Sequence, residues 1–245
     1  MKTIFLITKK ELRSFFSSAT GYIVLAIFLI GGALFLWVFP NQYNVLDSGY
    51  ASLDGLFALA PMLFLFLCPA ITMRLFAEEK QQGTLEMLLS RPISKMSLVL
   101  GKAFAGWLLV IIALVGTLIW YVSINVLAMP VGNVDAGAFW GSFIGLLFLS
   151  GIYVAVGVFA SSISDNQVVA FMIAAVLCFV LYIGFDFVGA LFTNGTTNRF
   201  ISSIGIDYHY KSISRGVIDS RDLLYFIVVS AIFLFLSKIV LERKK

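Results

Sequence analysis

Few residues of this 245-residue chain have the type and spacing to do chemistry. Gly101-Lys102 is its only Gly-Lys pair, and such a pair closes the phosphate-cradling motif G-x-x-x-x-G-K-[ST]. The motif needs glycine at 96 and serine or threonine at 103, where the chain has Met96 and Ala103, so no phosphate loop is present. Glu78-Glu79 is like the acidic pair that opens E-E-x-x-x-R in some membrane proteases, but the arginine position is Gly83. His209 is the single histidine, and neither H-E-x-x-H nor G-x-S-x-G occurs. Cys68 and Cys178 lie inside apolar runs, whereas structural disulfides belong to oxidising aqueous compartments; both are expected as small core or lipid-facing residues. Asp186 is the one acid inside a long apolar run, near its outer end. Ionisable groups in such runs mark transport pathways, so Asp186 is a pathway candidate, with a place at headgroup level as the simpler reading. No catalytic residue, bound cofactor or metal is expected.

The elements that would carry these residues are membrane helices. The chain is 60% hydrophobic and only 12% charged, against about 25% charged residues in a soluble domain. Mean hydropathy is +1.00 and the pI about 9.1. The basic residues flank apolar runs instead of clustering on a soluble face, which argues against a nucleic-acid partner. The first run exceeds the roughly 7–15 apolar residues of a signal peptide, and no small-x-small cleavage site follows.

A helix needs about 20 apolar residues to cross a bilayer core. Six runs qualify, at 19–39, 56–76, 99–128, 138–160, 168–190 and 223–241. None alternates with period two, and lipid leaves backbone groups no water to bond, so an all-α integral membrane protein is predicted, one transmembrane domain over 1–245. Of the 17 lysines and arginines, all but Arg199, Lys211, Arg215 and Arg221 fall on the side that carries both termini. The positive-inside rule then places both termini, and the 78–94 insert, in the cytoplasm.

Ile4, Phe5, Ile7, Leu12, Phe15 and Phe16 with Lys9, Lys10 and Arg13 predict an N-terminal interfacial helix on the bilayer. In the insert, Gly83 breaks the helix leaving the second span, and Thr84 is placed to cap a new one. Leu85, Leu88 and Leu89 form one apolar face. Glu86 and Arg91 complement the helix dipole, Pro92 ends the helix, and Ser94 caps the next span. The result is a two-turn helix, ~12 Å long at 1.5 Å per residue. It is too short to stand alone in water, so its leucines must rest on lipid, on this chain or on a partner.

Gly141 and Gly145 allow close helix approach, within the chain or at a dimer contact, as do Gly31-Gly32 and Ala170, Ala174 and Ala175. Trp37, Trp120 and Trp140 read as interface anchors. The long connection 191–222 alternates apolar and polar residues, among them Phe200, Ile204, Tyr208, Tyr210, Ile213, Val217 and Ile218. It predicts short external helices between the fifth and sixth spans, with His209 as a polar residue at the interface.

"EEKQQGTLEMLLSRPISKMSLVLGK" resembles the loop of ABC-type export permeases of the second class, and "SISRGVIDSRDLLYF" is similar to the branch with the gliding-motility and copper-centre-assembly permeases. The resemblance spans essentially the whole chain. It implies a bacterial inner-membrane subunit with six spans and a cytoplasmic coupling helix between the second and third. That permease would pair with a second permease half, as a homodimer or as a heterodimer with a gliding-associated membrane protein, and dock a separate ATPase that binds ATP and Mg. Glu78, Glu79, Gly83, Thr84, Leu85, Glu86, Leu88, Leu89, Arg91 and Pro92 would form the docking contact. A self-standing secondary transporter or channel is the alternative, with little support from mid-membrane charge.

Overall fold

The computed structural model describes residues 2–90, 93–216 and 219–243. The expectations for Arg91, Pro92, Val217, Ile218, Lys244 and Lys245 lie outside them. α1 (Lys2–Phe16) is the amphipathic N-terminal helix. α2 (Ala19–Ala33) continues through a π-helical turn, Leu34–Val38. A short α3 (Val45–Ser48) follows, capped by the Asn44 side chain. α4 (Asp54–Thr72) breaks at Met73 into α5 (Arg74–Gln81), and α6 (Thr84–Leu89) follows Gly83. α7 (Lys95–Leu127), α8 (Ala136–Ile163) and α9 (Gln167–Phe179) each start at a side chain that accepts a first-turn amide: Ser94, Asp135 and Asn166. α9 passes through a second π-helical turn, Val180–Gly184, into α10 (Phe185–Ala190). α11 (Gly195–Ser202), α12 (Ile206–Ile213) and α13 (Ser220–Arg243) complete the chain.

Among the described residues, six helices are long and apolar enough to cross a membrane, and no strand is present. They match the predicted spans within a few residues, with two differences. The second helix reaches Gln81 by way of α5, and α8 runs to Ile163, so the expected connection from Ser161 to Gln167 shrinks to 164–166. With six crossings, both termini lie on one face of the bundle. At that face the Lys95 ammonium at the start of α7 donates to the Leu241 carbonyl near the end of α13, 3.1 Å away.

The centre belongs to α4, α7 and α8. Their most apolar stretches are 67%, 61% and 72% buried, against 22%, 22% and 11% for α2, the α9–α10 helix and α13. Lipid is as apolar as leucine, so burial alone does not hold such helices together; close contact at small residues does. A Cβ added at Gly157 on α8 would stand 2.0 Å from Oγ1 of Thr72 on α4. One added at Gly106 on α7 would meet Val154 at 3.2 Å and Thr72 at 3.4 Å. Thr72 is fully buried where the three helices meet. Trp120, predicted as an interface anchor, is instead buried with its ring against Gly32. Cys68 and Cys178 are free thiols in the core.

Candidate functional site

At the termini-bearing face the α5–α6 segment is held by three neighbours. The helix breaks at Met73, and Ser161 of α8 fills the break. Its hydroxyl donates to the Met73 carbonyl (2.8 Å) and accepts from the amides of Phe76 (2.9 Å) and Ala77 (3.1 Å). Those amides open α5 and have no partner within it, so Ser161 caps α5 from another helix. Lys80 reaches the same end of α8, donating to the carbonyls of Ser162 and Ser164 and pairing with Asp165 at 3.3 Å. Arg74 lies over the Phe15 ring at 4.6 Å and donates to Ser18, which ties α5 to the corner between α1 and α2.

The two predicted acids part company. Glu78 is half-buried and accepts from Gln82 at 3.3 Å. Glu79 turns inward, its carboxylate 2.9 Å from the Lys102 ammonium and 3.2 Å from that of Lys10. Lys9, Lys10 and Arg13 are exposed on α1, while Phe15 is buried in the core and Ile7, Leu12 and Phe16 pack against it.

α6 starts at Gly83, whose φ of +67° is the left-handed conformation that glycine adopts without strain. The cap position is therefore Gly83 itself. Thr84, expected as the cap, is the first helical residue, and its hydroxyl donates backwards to the Glu79 carbonyl at 3.2 Å. Leu85 is buried in the chain's own core, and Leu88 and Leu89 pack against it half-buried. The leucine face thus finds its partner within the chain. Glu86 and Met87 are left outward, Met87 with 73% of its surface exposed. Beside them opens a cavity of 780 Å³ lined by Lys80, Leu85, Glu86, Leu89, Asp165 and Arg243, between α6, the α8–α9 turn and the end of α13.

The opposite face is roofed by α11 and α12. α12 is tucked into the bundle more deeply than a helix resting on the surface. Ile206, Asp207, Tyr210 and Ile213 are buried, and the Tyr210 hydroxyl donates to the Phe57 carbonyl at 2.7 Å. Gly141 and Gly145 serve this packing. A Cβ at Gly141 would meet the Gly216 backbone at 2.7 Å, and one at Gly145 would meet Ile213 at 2.6 Å, so both are contacts within the chain. His209 is not a bare interface residue either: Nδ1 lies 2.7 Å from Asp222, Nε2 2.9 Å from the Ser203 carbonyl, and the ring stacks on Tyr225. Asp186 faces Lys211 at 3.9 Å, and Lys211 also binds Asp207. The hydrogen bond to Asp207 outweighs desolvation and lifts the Lys211 pKa above its ordinary value. Asp186 thus meets the α12 roof at the far end of its helix.

A family model described as ABC-2 family transporter protein matches residues 5–245. The chain belongs to the ABC-2 transporter family. No curated protein sequence matches it. As an ABC-2 membrane component it is the permease subunit of an ABC transporter; such components are generally not ATPases themselves, and the family implies an ABC ATPase partner and a bilayer. In this ABC-2 permease, sequence reasoning missed Ser161 and Lys102. The expected spans put Ser161 in a connection, and Lys102 reads there as the end of a failed phosphate-loop motif and as an orientation charge. The one available signal for Lys102 was a lysine eight residues into an apolar helix start, where lone charge is expensive.

Proposed function

We propose that this permease docks its ATPase through the outward edge of α6 and the cavity beside it, and carries ATP-driven closure of that partner into the bundle. The observation that carries the reading is that α6 has its leucines seated within the chain while Glu86 and Met87 stand free at the termini-bearing face. A six-residue helix held by its own chain is a preformed knob, and a charged rim beside an apolar centre suits a specific, reversible interface. The ATPase must bind one permease conformation better than the other for closure to do work. Thirteen of the 17 basic residues flank this face, which supports a cytoplasmic location for both termini and insertion in a bacterial inner membrane.

The finer assignment is a GldF-like permease of the gliding-motility branch, supported by the resemblance of its C-terminal segment. Its second half would be a homologous or gliding-associated membrane protein, and the complex would either export a substrate or transmit force. ATP and Mg would sit on the ATPase. Purification of the full chain from its native membrane tests this. The ATPase should come with it, and Glu86→Lys with Met87→Glu should raise the dissociation constant by about tenfold, the equivalent of 1.4 kcal/mol. A chain that arrives without an ATPase, yet passes solute in liposomes without ATP, would be a channel or secondary transporter instead.

A further inference from the structure

The Gly101-Lys102 pair, useless for binding phosphate, lies where three elements of the termini-bearing face meet. Lys102 is 1% exposed. An ammonium has three hydrogens, and three acceptors surround this one: Glu11 of α1 at 3.0 Å, Glu79 of α5 at 2.9 Å, and the Leu75 carbonyl of α5. The Phe76 ring covers it at 5.0 Å. Lys10 closes the group from outside, 3.2 Å from Glu79 and 3.7 Å from Glu11, so two cations balance two carboxylates. The neighbouring residue adds a neutral clasp. The buried Thr8 hydroxyl of α1 donates to the Gly101 carbonyl at 2.9 Å, and a Cβ on Gly101 would stand 2.8 Å from Ile7. Only glycine lets α1 lie this close to α7.

We propose that Lys102 is the positioning residue that locks α1, α5–α6 and the start of α7 into one block, and so sets the stance of α6. The physical ground is that none of the three elements can withdraw alone. Each withdrawal would break at least one buried ion pair of Lys102, and breaking a buried pair is far more costly than never having made it. Glu79's second oxygen is buried with no hydrogen-bond partner among the described residues, so Glu79 depends on the two lysines for its compensation. Under this assignment Glu79 serves the α5–α6 segment from behind, through Lys102, while Glu86 and Met87 face outward. A load on α6 then passes to α7 as well as to α4. The role in load transfer rests on the docking reading; the lock itself does not.

The test uses the full chain in lipid nanodiscs with spin labels at Lys9→Cys on α1 and Met87→Cys on α6, the native thiols being buried. The wild-type background should give one narrow distance. Lys102→Met should broaden it about twofold or split it, because the charges that penalise separation are no longer matched. If that variant fails to fold, the triple variant Glu11→Gln, Glu79→Gln, Lys102→Met removes the buried charges together. It should fold, because Lys10, the charge left over, is exposed to solvent, and still show the broad distribution. A merely structural lysine would lower the unfolding temperature and leave the distance narrow well below it. A narrow distance in the folded triple variant would overturn the proposal. No ATPase takes part, so a failure of ATPase docking would be seen separately and would leave this result standing.

Discussion

Gly157→Val is expected to prevent the central helices from closing, with a loss above ~3 kcal/mol, beyond the usual range for overpacking. The reason is geometric. The first added carbon would stand 2.0 Å from Thr72 Oγ1 and 2.9 Å from Thr72 Cβ, and valine adds two methyls more. Thr72 has no room to yield. It is β-branched and stiff at χ1, its hydroxyl donates to the Cys68 carbonyl at 2.8 Å, and Gly106 of α7 stands behind it. Gly157→Ala should cost less, about 2–3 kcal/mol. Thr72→Gly in the same chain should recover most of that, less the ~1 kcal/mol that glycine costs inside a helix. Thermal unfolding of the detergent-solubilised protein, run as a double-mutant cycle, checks this. Strictly additive losses would mean that α4 and α8 do not meet at this pair.

The second large effect is expected at Ser161. Removal of its hydroxyl strands two buried amides and one carbonyl at the Met73 break, and an unsatisfied buried group costs about 1–3 kcal/mol. Ser161→Ala should therefore cost roughly 2–5 kcal/mol. Its neighbour supplies the control. Ser162 is equally buried, but its hydroxyl donates only to Phe159, one turn back in its own helix, at 2.7 Å. Ser162→Ala should change stability by less than about 1 kcal/mol. The same unfolding assay separates the two. In Ser161→Ala, protease cleavage near Gly83 should also rise, because α5 loses its cap and α6 hangs from it. Equal losses at 161 and 162 would remove Ser161 from the joint.

What could be read in advance was whatever the local chain dictates. Apolar runs of about 20 residues announce the spans, and lysine and arginine placement announces their direction. Gly83, with its positive φ, and Ser94, with its cap bond, act as their residue types predict. Thr84 stands one residue past the cap that its type suggests, because the left-handed glycine occupies the cap itself. What no window shows is which helix stands opposite. Gly141 and Gly145 announced close approach, yet their partners, Gly216 and Ile213, lie about 70 residues on in a connection without apolar length. The spacing of Leu85, Leu88 and Leu89 announces an apolar face in need of a partner, but the seat of Leu85 is assembled from distant parts of the same chain. Lys102 and Glu79 were legible as charges and illegible as a pair, 23 positions apart on different helices. Ser161 had no signal at all, since a serine that caps a foreign helix looks like any serine near a helix end.

An ATP-hydrolysing subunit docked on the outward edge of α6 would lie against Met87. A photo-cross-linking residue at Met87, activated in the native membrane, reads that contact directly. One dominant adduct is expected with a protein whose sequenced peptides contain G-x-x-x-x-G-K-[ST], sharply reduced by Glu86→Lys, and no such adduct from the same cross-linker at Met129 on the opposite face. An adduct with lipid alone, or equal capture of that ATPase from both faces, would contradict that docking.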